Sequence, residues 1–324
     1  MAKNRIVCFG EALIDFLNTD RRQEAPLMLD QFTQFPGGAP ANVAVAVAKL
    51  GGDVAFAGQV GSDRFGTFLL DALSRYGVDT SLTLVHPTAS TTLAFVFLDD
   101  DGERSFAFRR QKTADVLITR EQIGEQGYSD ASILHFCSNT LTDPDIAAVT
   151  RHVVEQSQAK NALVSFDVNL RHNLWPDGEA DKALVNELVE MSALAKFSRD
   201  EIEYLSDGLE ELYLARMFDA GLRAALITDG PREMSVCTAG SRSPVSPPSI
   251  DAVDTTGGGD AFIAAVLFGL SRQADPGSVL GDEARLAELV SFASHCGAIA
   301  VSRPGAFPAF PTFEDVADHW VEPS

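Results

Sequence analysis

Val253-Asp254-Thr255-Thr256-Gly257-Gly258-Gly259-Asp260-Ala261-Phe262 holds three consecutive glycines that end at an aspartate, and an apolar run over residues 261–270 follows at once. That order describes a tight loop feeding straight into a helix. Glycine has no Cβ, so the backbone can turn through positive φ and approach a ligand closely. The first N–H groups of a helix have no internal partner and sit at the positive end of its dipole, which suits an anion such as a phosphate. Asp260 would then set a carboxylate beside that anion. A second reading stays open on the residues alone, because aspartate is favoured at helix starts and glycine runs also make plain turns. The stretch is not a P-loop, since no G-x-x-x-x-G-K-[ST] occurs. It is not a dinucleotide fingerprint either, since no G-x-G-x-x-G follows the first strand.

Upstream, Gly37-Gly38 makes another glycine turn before Ala39-Pro40-Ala41-Asn42 and a Val/Ala run that ends at Gly51. Pro40 suits a first helical turn and alanine is the best helix former, so the run reads as a buried helix rather than a strand. Asn42 in its first turn can aim its amide at a ligand or satisfy local backbone. Residues 5–10 read as a buried strand. Asp15 follows, either a surface carboxylate or a ligand group at a strand end, where open α/β sheets bind. Residues 19–35 are polar and read as irregular. Residues 53–60 read as a strand, and Gly61-Ser62-Asp63 caps a helix over 64–76 that stops at Gly77. Alternating apolar runs at 91–98 and 104–110 flank Asp99-Asp100-Asp101-Gly102-Glu103, which predicts a β-hairpin. Arg109 and Arg110 close it, as ligand contacts or as a solvated strand end.

Strands are expected at 131–137, 162–167, 194–197 and 223–229, with helices at 144–158, 181–191 and 201–205 between them. An antiparallel strand at 234–238 and a Ser/Pro-rich loop at 243–248 precede helices at 261–271 and 283–302. This alternation predicts an α/β fold with a doubly wound, mostly parallel sheet. One domain is expected over residues 1–324, with a small projecting β-sheet lid formed by about 16–35 and 91–115. The strand ends Asp167-Val168-Asn169-Leu170-Arg171 and Thr228-Asp229-Gly230 would meet Asp15, Gly37-Gly38 and the 257–260 loop at one sheet edge. That convergence points to a ligand site more strongly than any single motif.

The bulk composition bounds the partners. The chain carries 46 acidic and 25 basic residues, a net charge of −21, which disfavours nucleic acid and acidic membranes. Cys8, Cys137, Cys237 and Cys296 are widely spaced in apolar settings, as buried thiols of a reducing compartment would be. The N-terminus leads into a strand without a signal-peptide pattern, and no window of about 18 uncharged apolar residues occurs. A cytoplasmic protein is the expectation.

At this point the residues resemble a family. Gly37-Gly38-Ala39-Pro40-Ala41-Asn42-Val43-Ala44 is similar to the first signature of ribokinase-like (PfkB-type) carbohydrate kinases, and Asp254 to Phe262 resembles their second, D-T-T-G-A-G-D-x-F. Phe166 to Arg171 with Leu174-Trp175-Pro176 is similar to the D-x-N-x-R-x-x-L-W-P run of fructokinases and 2-keto-3-deoxygluconate kinases. Arg110 with Thr113-Ala114-Asp115 looks like the R-x-P-S-A-D run of fructokinases, and Lys196 to Leu205 resembles their nucleotide-side segment.

The resemblance implies an ATP-dependent fructokinase that uses Mg²⁺, with K⁺ as a further cation. It implies Asp260 as catalytic base, and Gly257, Gly258 and Gly259 as an anion hole. Asp15, Gly37, Gly38, Asn42, Arg110, Asn169 and Arg171 would face the sugar. Ser198, Glu201, Thr228, Gly230 and Ser294 would lie on the ATP side, with Glu201 reaching Mg²⁺ through water. Asp254, Thr256, Ala300, Arg303 and Gly305 would hold a monovalent cation, mostly by backbone. An exposed lid sheet favours a homodimer. Four positions depart from the family pattern. Gly258 replaces alanine, Ser198 replaces asparagine, Asp229 stands where a small or apolar residue is usual, and Ala309 replaces a serine. The alternatives are a kinase for 2-keto-3-deoxygluconate, ribose or a nucleoside, or a non-catalytic sugar or nucleotide sensor.

Overall fold

The computed structural model describes residues 4–98, 104–124 and 131–321. Its strands are β1 (Ile6–Phe9), β2 (Leu13–Glu24), β3 (Leu27–Gly37), β4 (Val54–Gly61), β5 (Thr83–His86), β6 (Leu93–Leu98), β7 (Arg104–Arg109), β8 (Ile133–Cys137), β9 (Leu163–Asp167), β10 (Leu194–Ser198), β11 (Ala224–Thr228), β12 (Met234–Thr238) and β13 (Ser241–Val245). Among the described residues these make a nine-stranded sheet, in the order β13-β12-β11-β10-β9-β8-β1-β4-β5, and a four-stranded sheet, β3-β2-β6-β7. Pairing is parallel from β11 through to β5, and β12 and β13 add antiparallel at one edge. The doubly wound, mostly parallel fold with a separate small sheet is therefore the fold of the chain.

Successive side chains of a strand point to opposite faces, and β1 shows the result. Ile6 and Cys8 enter one core with helices α1 (Ala39–Lys49) and α2 (Arg64–Arg75), while Val7 and Phe9 enter the other with α3 (Pro144–Ala159) and α4 (Lys182–Glu190). The second core also takes α5 (Arg199–Ser206) and α6 (Glu210–Ala220). The first takes α7 (Gly258–Ser271) and α8 (Glu283–Val301). By length and composition α8 could cross a membrane, which the sequence reading did not foresee, but half of its most apolar stretch is buried inside the fold. It packs on α7 as a core helix.

Two of the other departures have local causes. Residues 19–35 are not irregular: β2 and β3 pair along their length, with a bulge between Asn18 and Asp20. Beyond Asn18 the side chains of β2 are exposed on both faces, so the apolar alternation that marks a strand is missing. The expected 243–248 loop begins as the edge strand β13, whose exposed, proline-containing sequence hides it. Helix α6 and strand β5 were not expected at all. Residues 91–98 and 104–110 form an antiparallel pair, and the Asp99–Glu103 turn between them lies outside the described residues.

Asp63 fastens the small sheet to the body. It caps α2 by accepting the Gly66 N–H at 2.8 Å, and it also accepts the Thr91 N–H and hydroxyl at 2.8 Å each, just before β6. Burial pushes its carboxyl up, but the bonds from Thr91 and Gly66 outweigh that and hold it below the usual value. A depressed carboxyl stabilises the fold above its unfolded value, and the contribution is lost as pH falls through the folded value. We expect Asp63→Asn to lower stability at pH 7 by about 1–2 kcal/mol. The gap between parent and variant should close on acidification through the carboxylate range. Urea titrations at several pH values check this, and a gap that is constant with pH would refute it.

Candidate active site

Helix α7 starts at a glycine in left-handed conformation, Gly257 with φ 75°. A Cβ at Gly257 would fall 2.8 Å from the Phe310 ring, and one at Gly258 2.5 Å from a Val301 methyl. One at Gly259 would approach the Lys196 ammonium at 3.1 Å. The loop is therefore glycine-rich because it is closely surrounded, and its N–H groups lead the helix. Gly258 replaces the family's alanine because the Val301 methyl occupies the space that an alanine side chain would take.

Asp260 lies in the first turn of α7, and its Oδ2 accepts the Asn42 amide at 2.7 Å. Asn42 is in the first turn of α1, which packs against α7. Burial raises the Asp260 carboxyl, and the Asn42 bond, Lys196 and Arg171 oppose the rise. Asp15 stands nearby on β2. Burial first and the Asp260 charge second push it up to about 7, against Arg171. A carboxyl that keeps its proton near neutrality can donate as well as accept, which suits a hydroxyl-rich ligand. No side chain fits at Gly37, where a Cβ would fall 2.0 Å from Asp15 Oδ2, and Gly38 turns at φ 101° against the Glu11 carbonyl. Asp15, Gly37, Gly38, Asn42, Arg171, Asp260 and the 257–259 loop thus form one neighbourhood.

Glu201 has both oxygens engaged by backbone. Oε2 accepts the Ser198 N–H at 2.6 Å in a capping box, and Oε1 accepts the Leu170 N–H at 2.8 Å. It therefore ties the end of β9, where Asn169 is buried at φ 38°, to the start of α5. Ser198, standing for the family's asparagine, is the cap of that helix. Ser198 and Thr228 are cross-strand partners at the ends of β10 and β11, and Gly230 follows at φ 56°. The unusual Asp229 pairs with Arg232 at 2.8 Å, so its charge is offset at the surface. Asp254 accepts the Thr256 N–H at 2.8 Å and the Gly305 N–H at 3.0 Å, and its own N–H reaches Val301 O, next to Ala300. The residues suggested for a monovalent cation are thus gathered, while the Arg303 guanidinium pairs with Asp315 at 3.6 Å. Among the described residues no three His, Cys, Asp or Glu side chains cluster as a metal cage.

Two of the expected ligand contacts also make hydrogen bonds within the protein. The buried Arg110 guanidinium donates to Asp115 at 2.8 Å and to the Thr142 hydroxyl at 2.9 Å. The Ser294 hydroxyl donates to Ser291 O within α8 at 2.7 Å. Charged groups were missed as well. Lys196 is buried under the glycine loop and pairs with Asp167 at 3.0 Å. Burial pushes Asp167 up and Lys196 opposes it. The available signal was a lone lysine inside the apolar strand Leu194-Ala195-Lys196-Phe197, which needs a buried anion. Glu11 and Asn139 also went unnoticed.

Gly258→Ala should overpack against Val301 and cost about 1–3 kcal/mol, with a loss of turnover because the loop shifts. Val301→Ala in the same chain should restore both. Melting and steady-state rates of the two variants check this, and a double variant no better than Gly258→Ala alone would sink the packing account.

Residues 3–312 match the profile of the pfkB family carbohydrate kinases. A probable fructokinase-7 of Arabidopsis thaliana is 38% identical over 320 residues, 97% of this chain and 91% of the relative. A fructokinase of Xylella fastidiosa with bound ATP superimposes with a TM-score of 0.91 at 39% identity, covering 98% of each chain. A double mutant of the Vibrio cholerae O395 fructokinase, with fructose, ADP and potassium bound, gives a TM-score of 0.86 at 31% identity, again over 98% of each chain. With the family profile matched along nearly its whole length and the glycine loop, Asp260 and Asn42 brought together, the chain belongs to the pfkB family of carbohydrate kinases.

Proposed function

We propose that the protein is an ATP-dependent fructokinase, which transfers the γ-phosphoryl group of ATP to the primary hydroxyl of fructose and releases fructose 6-phosphate. The observation that carries this reading is Asp260, which the Asn42 amide orients in the first turn of a helix whose leading N–H groups border the same space. Asp260 accepts the hydroxyl proton as the new P–O bond forms. The N–H groups of the 257–259 loop stabilise charge on the transferring group. Asp15, Gly37, Gly38, Asn42, Asn169 and Arg171 hold the sugar. Ser198, Glu201, Thr228, Gly230 and Ser294 border the nucleotide.

Phosphoryl transfer needs positioning and charge neutralisation rather than covalent help. Mg²⁺, bound by the phosphates and through water by Glu201, would supply the remaining positive charge. A K⁺ ion would sit among the backbone of Asp254, Thr256, Ala300, Arg303 and Gly305, beside the start of α7. The small sheet acts as the lid that excludes water. Two observations favour a neutral sugar over 2-keto-3-deoxygluconate, whose carboxylate needs cations. Arg110 is already paired with Asp115, and Asp15 and Asp260 leave the site rich in acid. The ring cluster of Phe16, Phe32, Phe95 and Phe97 on the small sheet is only half-buried, which supports pairing with a second copy there. Sedimentation should give twice the 34.7 kDa chain mass, and a monomer at micromolar concentration would refute the pairing.

ADP release from Mg·ATP is to be measured with fructose, 2-keto-3-deoxygluconate, ribose, glucose and adenosine, each with and without K⁺. Fructose should give the highest kcat/KM, and K⁺ should raise it. Asp260→Asn should lower kcat by about 10²–10⁴-fold while ATP binding persists. Nucleotide binding without turnover of any sugar by the parent would favour a sensor, and an Asp260→Asn enzyme of near-normal rate would remove Asp260 as the base.

A further inference from the structure

Helix α1 begins without a side-chain cap of its own, because its N-cap is Gly38. The Ala39 N–H donates instead to Glu11 Oε1 at 3.2 Å, and the same oxygen accepts the Asn139 amide at 2.8 Å. Glu11 is 1% exposed. Its own carbonyl lies so close to Gly38 that a Cβ there would fall 2.5 Å away. Both the backbone and the side chain of Glu11 therefore set where α1 starts. Within that first turn the Asn42 N–H donates to Gly38 O at 2.7 Å, and the Asn42 amide reaches Asp260. The Asn42 Oδ1 is buried without a hydrogen-bond partner among the described residues. The side chain thus has no second bond to keep its aim if the helix start moves.

We propose that Glu11 is a positioning residue for phosphoryl transfer, which fixes the first turn of α1 and through it the Asn42 amide that orients Asp260. Arg110 serves this arrangement rather than the sugar. Its charge opposes the rise that burial imposes on the Glu11 carboxyl, which stays raised on balance, and Asp115 and Thr142 hold it in place. The other charged groups that act on Asp260 include Lys196 on β10, Asp167 on β9, Arg171 after β9 and Asp15 on β2, none of them on α1. The inference rests on Asp260 as the base, and its test separates the two claims.

Glu11→Gln and Glu11→Met differ little in size and both remove the charge, so both burden Arg110 alike. Only glutamine keeps an oxygen that can accept from Ala39 and Asn139. Glu11→Gln should stay within about fivefold of the parent kcat, whereas Glu11→Met should lose on the order of 10- to 100-fold with ATP KM within about twofold. Fructose affinity measured by calorimetry without nucleotide should weaken by about 10-fold in Glu11→Met alone, a readout that needs no turnover. Because Glu11 acts through Asn42, adding Glu11→Met to Asn42→Ala should lower kcat by no more than about twofold further. Equal losses in the two Glu11 variants, or losses that multiply in the double variant, would overturn the proposal. Failure of either Glu11 variant to fold would assign the carboxylate to stability and overturn it too. A parent enzyme inactive on every sugar would instead strike the function reading, while the fructose-binding comparison would still decide the role of Glu11.

Discussion

Carboxylates repel one another, and the sheet edge in this protein collects several. Asp15, Asp167, Glu201 and Asp260 all stand around the start of α7, three of them with carboxyls pushed up by burial or by one another. Such a cluster holds together only if something offsets it. Lys196 is buried against Asp167, Arg171 acts on both Asp15 and Asp260, backbone N–H groups satisfy Glu201, and the unpaired end of a helix supplies further partial positive charge. The positive charge near Asp260 has a second use, since a phosphoryl group that arrives with more negative charge would meet donors already in place. Charge balance and the proposed chemistry thus draw on the same residues.

What could be read from the sequence was whatever depends on neighbours along the chain. The two glycine turns, the Asp63 cap, the alternating strands and helices, and the convergence of Asp15, Gly37-Gly38 and the 257–260 loop on one edge all follow from local pattern and from the rule that parallel sheets bind at strand ends. What could not be read depends on partners far away in sequence. Glu11 meets Asn139 across 128 positions, and Asp167 meets Lys196 across 29. No local pattern announces such a pair. The β2–β3 ribbon was lost for another reason: a strand wet on both faces has no periodic signal to give. Arg110 shows the opposite case. Its place in a recognised run of residues suggested a ligand contact, and in the fold its Nε and Nη1 donate to Asp115 and Thr142, partners that the run does not announce.

The glycines of the 257–259 loop carry two roles that the sequence does not separate. Gly257 turns the chain through positive φ, which any larger residue would resist. Gly258 is instead a matter of space, set by a side chain on α8. Read as a motif, the three positions look equivalent. Read as packing, only the first is dictated by the backbone, and the second belongs jointly to the loop and to Val301.

The order of the strands bears on how the chain comes into being. β1 precedes every other described strand in the chain, yet it lies between β8 and β4, and the face of the sheet that carries Ile6 and Cys8 is covered in part by α7 and α8. A nascent chain must therefore wait for residues beyond 258 before that apolar face is closed. Domains whose contacts join distant parts of the chain collapse late and expose sticky surface meanwhile. The helix that helps close the core also brings Asp260, so a chain made only as far as residue 257 has neither a finished interior nor the proposed base. Closure of that face and arrival of the proposed base both fall late in synthesis.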